Sequence, residues 1–285
     1  MRLATIHLEN REIAAIVTPG NVTPLNRIGV AEGAGFATDI LSLLESGQFH
    51  DLQSWCEYKG KENWDDDAIP LDQVAYAPLY RRPRKIWGIG LNYTEHAGDL
   101  DETAPVDEPA SFMRPDTTII GPGEEILLPE QSSRVTAEAE LGLIIGRETK
   151  NVSVEEAPSV VAGFTTILDM TAEDILRKNP RYLTRAKSFD TFFSFGPYLV
   201  TPDEVENLQA LEVATVLNGE VRRSNTVSNM TFSPWELVSF HSKVMTLMPG
   251  DIISTGTPGA VEIRDGNIVE CRIDGFETLS NPVRR

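Results

Sequence analysis

Basic residues are scarce in this chain: 25 Lys and Arg stand against 43 Asp and Glu over 285 residues, a net charge of −18. Such a surface repels phosphate backbones and anionic headgroups, which argues against nucleic acid or a membrane surface as the main partner. Cysteine is nearly absent, with only Cys56 and Cys271. Two distant thiols make neither a disulfide framework nor a metal-binding spacing, and they fit free thiols in a reducing cytoplasm. No stretch approaches the roughly 20 apolar residues of a membrane span. The opening MRLATIHLENREIAAIV alternates like a strand and lacks the charged-then-apolar order of a signal peptide. What is there is an ordinary globular composition, 41% hydrophobic and 24% charged, long enough for a large core.

The expected organisation is a small α/β domain at residues 1–70 and a larger, β-rich domain at 71–285. In the first, two strands precede a helix near Thr38, with Ile40, Leu41, Leu43 and Leu44 on its apolar side. A polar segment at about 60–83 joins the two parts, and its run Asp65-Asp66-Asp67 reads as solvated loop. From residue 84 onward, short apolar runs recur between Gly and Pro, with no βαβ rhythm and no dinucleotide fingerprint. Two helix starts carry capping boxes. One is Ser153 with Glu156, strained by Pro158; the other is Ser233 with Glu236 and Pro234 at the first helical position. In the second helix Leu237, Phe240, His241 and Val244 share a face.

The chemistry starts at TAEAELGLIIGR, residues 136–147. Ala139, Leu141, Leu143 and Ile145 alternate with Glu138, Glu140 and Gly142, the period of a strand. Two carboxylates therefore share one face. Alternation alone fits a solvated sheet face at least as well as a site. A third acid, Asp169, ends the apolar run GFTTILD ahead of a helix start at Thr171. Together the three would make a hard, all-oxygen site suited to Mg2+, Ca2+ or Mn2+. In GLNYTEHAGDL, His96 and Asp99 follow at i, i+3, a spacing at which a carboxylate can orient a general base.

KIWGIGLNYTEHAGDL, AEAELGLIIGR, AGFTTILDMTAED, TRAKSFDTFFSFGPYLVT, LNGEVRRSNTVSNMTFSPWELVSF and LMPGDIISTGTPGAV together resemble the fumarylacetoacetate hydrolase family, in order, over about residues 84–285. The resemblance implies an α+β, β-rich fold: a mixed β-sandwich or β-roll catalytic domain, here preceded by the small α/β domain. It implies a homodimer acting on a small oxo or diketo acid, with Mg2+ or Mn2+ (Ca2+ able to stand in) held by Glu138, Glu140 and Asp169. His96 and Lys187 match the family's catalytic positions, with Asp99 where a glutamate is usual. Thr257 of GTPG matches a ligand-facing threonine, Tyr93 follows the pattern beside the site, and Gly196 and Pro197 match scaffold positions. Leu168 and Glu173 stand where the family has asparagine and a carboxylate-binding arginine. A glutamate cannot grip a carboxylate. The nearby cations Arg177, Lys178, Arg181 and Arg185 are open to two readings, an anion site or a surface patch. Arg185 would turn toward the side of Lys187 if the segment is extended.

The implied reaction is hydrolysis of a carbon–carbon bond in an acylpyruvate or related diketo acid. His96, oriented by Asp99, would activate water, and Lys187 with the cation would stabilise the departing enolate. A lyase or isomerase acting on the same kind of oxo acid is the alternative, and a pseudoenzyme a third. Breakdown of aromatic compounds or sugar acids is the implied context. The segment TEHAGDLDETAPVDEPA is expected to be a lid.

Overall fold

MRLATIHL and REIAAIVT close as an antiparallel hairpin, β1 (Arg2–Leu8) and β2 (Arg11–Thr18), turned through Glu9 and Asn10. Both turn residues have positive φ, 50° and 61°. That is the two-residue turn whose twist matches the strands it joins. The computed structural model describes residues 1–28, 35–59, 68–94 and 105–285. Residues 95–104 of the expected lid (94–110), with His96 and Asp99, and Asp65-Asp66-Asp67 lie outside the described residues.

The remaining elements follow in chain order. They are β3 (Asn21–Pro24), α1 (Ile40–Glu45), α2 (Gln48–Lys59), β4 (Ile69–Pro70), β5 (Ile86–Gly90), β6 (Ala110–Arg114), β7 (Ile119–Ile120), β8 (Ile126–Leu127) and β9 (Val135–Ile145). Then come β10 (Val161–Ala172), α3 (Glu173–Lys178), α4 (Leu183–Lys187), β11 (Phe193–Phe195), β12 (Tyr198–Val200), β13 (Glu212–Leu217) and β14 (Glu220–Thr226). The chain ends with α5 (Pro234–Val244), β15 (Ile252–Ser254), β16 (Val261–Ile263), β17 (Ile268–Ile273) and β18 (Leu279–Arg284). A large mixed sheet runs β4-β3-β2-β1-β12-β10-β9-β15-β5-β6, and a second, five-stranded sheet runs β14-β13-β17-β18-β8. The expected β-rich α+β fold with a mixed sandwich is what forms. The strands of residues 1–24 join the large sheet through β1 and β12.

The centre of the molecule is the long β9–β10 pair, with every residue of both strands buried. Its two faces do different work. Ala137, Ala139, Leu141 and Leu143 of β9, with Phe164, Leu168 and Met170 of β10, pack on Val213, Val269 and Ile273 of the second sheet. Ile144 and Ile167 point the other way, into a cluster with Ile252, Phe193, Phe195 and the helix residues Ile40, Leu43 and Leu52. Each such side chain contributes roughly 1.5–3 kcal/mol by leaving water. Gly142 lets Ile167 lie flat there, because a Cβ at 142 would sit 2.5 Å from its Cδ1.

Three local expectations are revised. Asp169 does not end its strand: β10 runs on to Ala172, because Thr171 and Ala172 still find partners in Thr136 and Val135, and α3 begins at Glu173. The Ser153–Glu156 box makes both of its bonds, at 3.0 and 3.2 Å, yet only a 3-10 turn (Ala157–Val160) follows. Pro158 removes the N–H that an α-turn would use. On α5, capped by Ser233 and Glu236 as expected, Leu237 and His241 are buried while Val244 is exposed.

Candidate active site

On the face of the β9–β10 pair away from the second sheet, the apolar cover stops and carboxylates begin. Asp169 stands directly opposite Glu138, and Ile167 opposite Glu140. Opposed residues share a face, so the alternation of E-x-E and one cross-strand pair bring three acids together. Their ligand oxygens lie within 4.8 Å of one another, all three residues buried. Three like charges at that spacing are unfavourable without cations.

Two cations come from the chain itself. Lys187, at the end of α4, donates from Nζ to Glu138 Oε2 and to Asp169 Oδ1, both at 2.7 Å. Arg114, the last residue of β6, donates to Asp169 Oδ1, to the carbonyl of Met170 at 3.0 Å and to that of Phe192 at 3.1 Å, and also to the carbonyl of Lys187. Burial works against the charge on Lys187, but the charges of Asp169 and Glu138 outweigh it and hold the ammonium above its ordinary value. Glu140 Oε2 accepts from the Ser254 hydroxyl and from the backbone N–H of Gly256 at 2.8 Å. Even so, burial first, then the charge of Asp169, pushes the Glu140 carboxyl up to about 8. Phe112 closes one side, its ring 5.0 Å from Lys187 Nζ. It can lie there because Gly88 is opposite: a Cβ on 88 would come within 2.2 Å of the ring.

The other candidates are placed as follows. Thr257 is buried directly after Gly256, its hydroxyl accepting from Gly259 N–H at 3.2 Å. Tyr93 is fully buried in the core, its hydroxyl without a partner among the described residues and pushed up by burial, then by the charge of Glu140. Arg185 is exposed and donates to Gln131 at 3.2 Å. Its segment is helical, not extended, so two residues' separation turns it about 200° away from Lys187. Glu173, at the family's arginine position, is buried between Arg177, at 2.6 Å, and Arg134. Arg114 is the residue the sequence reading missed. The signal was only an arginine closing the run ASFMRP, and its partner lies 55 residues away in the chain.

The donor set fits a hard divalent cation. Asp169 Oδ1 is occupied by Lys187 and Arg114, while Oδ2 is buried with no partner among the described residues. A buried, unpartnered carboxylate oxygen beside two more carboxylates is a place where a cation lowers the energy. Neither cysteine adds a soft ligand: Cys56 and Cys271 are free and buried, and burial pushes both thiols up to about 12.

The fold is thus a β-sandwich of mixed sheets carrying a buried acidic triad that could hold a hard cation, with a lysine beside it. Residues 85–284 match the sequence model "Fumarylacetoacetate (FAA) hydrolase C-terminal", and the chain belongs to that family. Human mitochondrial oxaloacetate tautomerase FAHD2A is 34% identical over 225 residues, 76% of this chain and 71% of the relative. The crystal structure of 5-carboxymethyl-2-hydroxymuconate delta-isomerase from Mycobacterium smegmatis superposes with TM-score 0.78 at 31% identity, covering 100% of this chain and 99% of that one. Maleylpyruvate hydrolase from Sphingobium sp. SYK-6, in complex with manganese(II) ion and pyruvate, superposes with TM-score 0.80 at 26% identity and the same coverage. Members of the family are thus hydrolases, isomerases and tautomerases.

Proposed function

We propose that this chain is a Mg2+- or Mn2+-dependent enzyme that hydrolyses a carbon–carbon bond in an acylpyruvate or related diketo acid. The observation that carries this is the charge balance of the buried site. With all three carboxylates ionised, they face two cations, Lys187 and Arg114, leaving one net negative charge and an Asp169 oxygen with no partner among the described residues. A dication reverses that sign, and the site can then attract an anionic oxo acid. Glu138, Glu140 and Asp169 would hold the ion. When bound, it supplies concentrated positive charge that attracts the oxygens of a 2-oxo acid and stabilises negative charge developing there.

The chain's own residues supply the rest. Lys187, charged and fixed by two carboxylates, offsets negative charge on the leaving fragment. Arg114 fixes Asp169 and the end of α4, holding Lys187 in register. We assign His96, steadied by Asp99, as the base. It takes a proton from water, the hydroxide adds to the distal carbonyl carbon, and the bond to the pyruvate fragment breaks. The electron pair leaves with that fragment, which takes up the proton to give pyruvate and a carboxylic acid. Tautomerisation or isomerisation is the second reading, favoured by the relatives at 34% and 31% identity being a tautomerase and an isomerase. A panel of acylpyruvates and oxaloacetate with Mg2+ or Mn2+, followed by NMR, decides. Pyruvate plus a carboxylic acid supports hydrolysis, tautomer exchange alone supports the second reading, and no reaction on any of them overturns both.

A further inference from the structure

Beyond the acidic triad the same sheet face continues outward for two more rungs. Toward the interior it ends at Ile167 and Ile144 in the apolar cluster. In the other direction Thr171 follows Asp169, roughly 7 Å along the strand, opposite Thr136, with Glu262 of β16 on the far side of Thr136. Arg134 and Glu173 come next. Arg134, just before β9, donates to both Glu173 at the start of α3 and Glu262 of β16. Thr171 is 3% exposed, and its hydroxyl has no partner among the described residues. A buried hydroxyl left unpaired beside a candidate substrate site is an open hydrogen-bonding position.

The charges of this tier are unequally sheltered. Glu173 is 9% exposed, whereas Arg177 and Arg264, which also pair with its two acids, are 63% and 78% exposed. Water screens those outer cations. Arg134, itself 41% exposed, is shared between two carboxylates, so Glu173 is the charge of this tier most sheltered from water.

We infer that Thr171 and the Glu173–Arg134–Glu262 bridge form the subsite for the far end of the substrate and select a neutral hydrogen-bonding group over a second carboxylate. This rests on the oxo-acid reading above. A hydroxyl or carbonyl there can pair with Thr171. A carboxylate would instead be desolvated beside buried Glu173, an arrangement that rejects by repulsion.

The test is calorimetric binding of two six-carbon 2-oxo acids to the Mn2+-loaded protein, 6-hydroxy-2-oxohexanoate and 2-oxoadipate. They differ only in ending in a hydroxymethyl group or a carboxylate. The hydroxymethyl compound should bind at least tenfold more tightly. Glu173→Gln should narrow that gap at least fivefold by tightening 2-oxoadipate. Thr171→Val, which keeps the side-chain shape, should weaken only the hydroxymethyl compound, about fivefold. Equal or tighter binding of 2-oxoadipate by the unaltered protein overturns the inference and leaves the proposed function standing, as does an unchanged ratio in both variants. If neither acid binds, the proposed function falls and the inference with it.

Discussion

Asp169 and Glu140 are both buried carboxylates, yet they answer to different partners, and substitution should separate them. Asp169 neutralises Arg114 and Lys187. Asp169→Asn should therefore cost on the order of 3–5 kcal/mol by stranding buried cations, as well as abolishing Mn2+ binding. Among the described residues Glu140 is hydrogen-bonded by a hydroxyl and an N–H, both of which a glutamine oxygen can accept. Glu140→Gln should lose Mn2+ in calorimetry while melting in EDTA at or above the unaltered protein's temperature. A pH dependence follows from the same residue. With its carboxyl pushed up to about 8, the ion-free fold binds that proton more tightly than the unfolded chain does. Its contribution to stability is therefore greatest at low pH and is lost as pH rises through about 8. A cation must displace the proton, so Mg2+ affinity should climb with pH up to about 8 and then level. Equal Mg2+-induced rises in melting temperature at pH 6 and pH 8.5 would contradict this. At this scale E-x-E was legible because alternation needs no distant partner. Asp169 joined it as the acid closing an apolar run, and the family resemblance then implied the same three residues as ligands. Arg114 was not legible, because nothing local distinguishes a strand-end arginine facing a buried acid from one facing water.

Elements were legible where local signals agreed and failed where one residue opposed the rest. In α5, cap, N1 proline and apolar periodicity all point one way, and the helix forms. At Ser153 the same box is opposed by Pro158, and a single 3-10 turn results. The end of β10 shows the opposite kind of miss, because strand length there is set by the reach of β9, which the sequence of β10 does not contain. The helix expected after Thr171 forms from Glu173, whereas the state of the segment around Arg185 was left open because its short helix has no apolar stripe to announce it. Helix α5 also carries a testable titration. His241 is fully buried, its Nδ1 bonded to the Leu237 carbonyl at 2.7 Å and its ring 4.6 Å from that of Trp87. Burial lowers its pKa despite that bond. The fold thus favours the neutral imidazole, and that preference is fully expressed above the ordinary histidine value of about 6.5 and lost as pH falls below it. Urea unfolding at pH 7.5 and pH 5.5 should show a stability drop that is smaller in His241→Gln. The same drop in both proteins would place the acid sensitivity elsewhere.

For the whole molecule, the architecture constrains the chemistry less than the individual residues do. An isomerase and a hydrolase each superpose over the full chain, at TM-scores of 0.78 and 0.80, so one fold serves reactions that differ in whether water is consumed. The net charge of −18 adds nothing to that choice; it only sets the field an anionic substrate must cross before the local site takes over. The difference has to lie in the group that handles water, which we assign to His96. His96→Ala should lower hydrolysis of an acylpyruvate by about 10²–10⁴-fold, the usual worth of a positioned base, with Mn2+ binding intact because Glu138, Glu140 and Asp169 are untouched. Tautomer exchange of oxaloacetate should fall far less, since charge stabilisation by Lys187 survives. Asp99→Ala should act in the same direction more weakly, as befits a residue that only orients the imidazole, and Asp99→Glu should keep or raise hydrolysis. Lys187→Ala should damage both reactions. Product formation followed by NMR in each variant, beside calorimetry with Mn2+, separates these outcomes. Hydrolysis near the original rate in His96→Ala, with the ion bound, would move water activation to another group and leave tautomerisation or isomerisation as the better account of this chain.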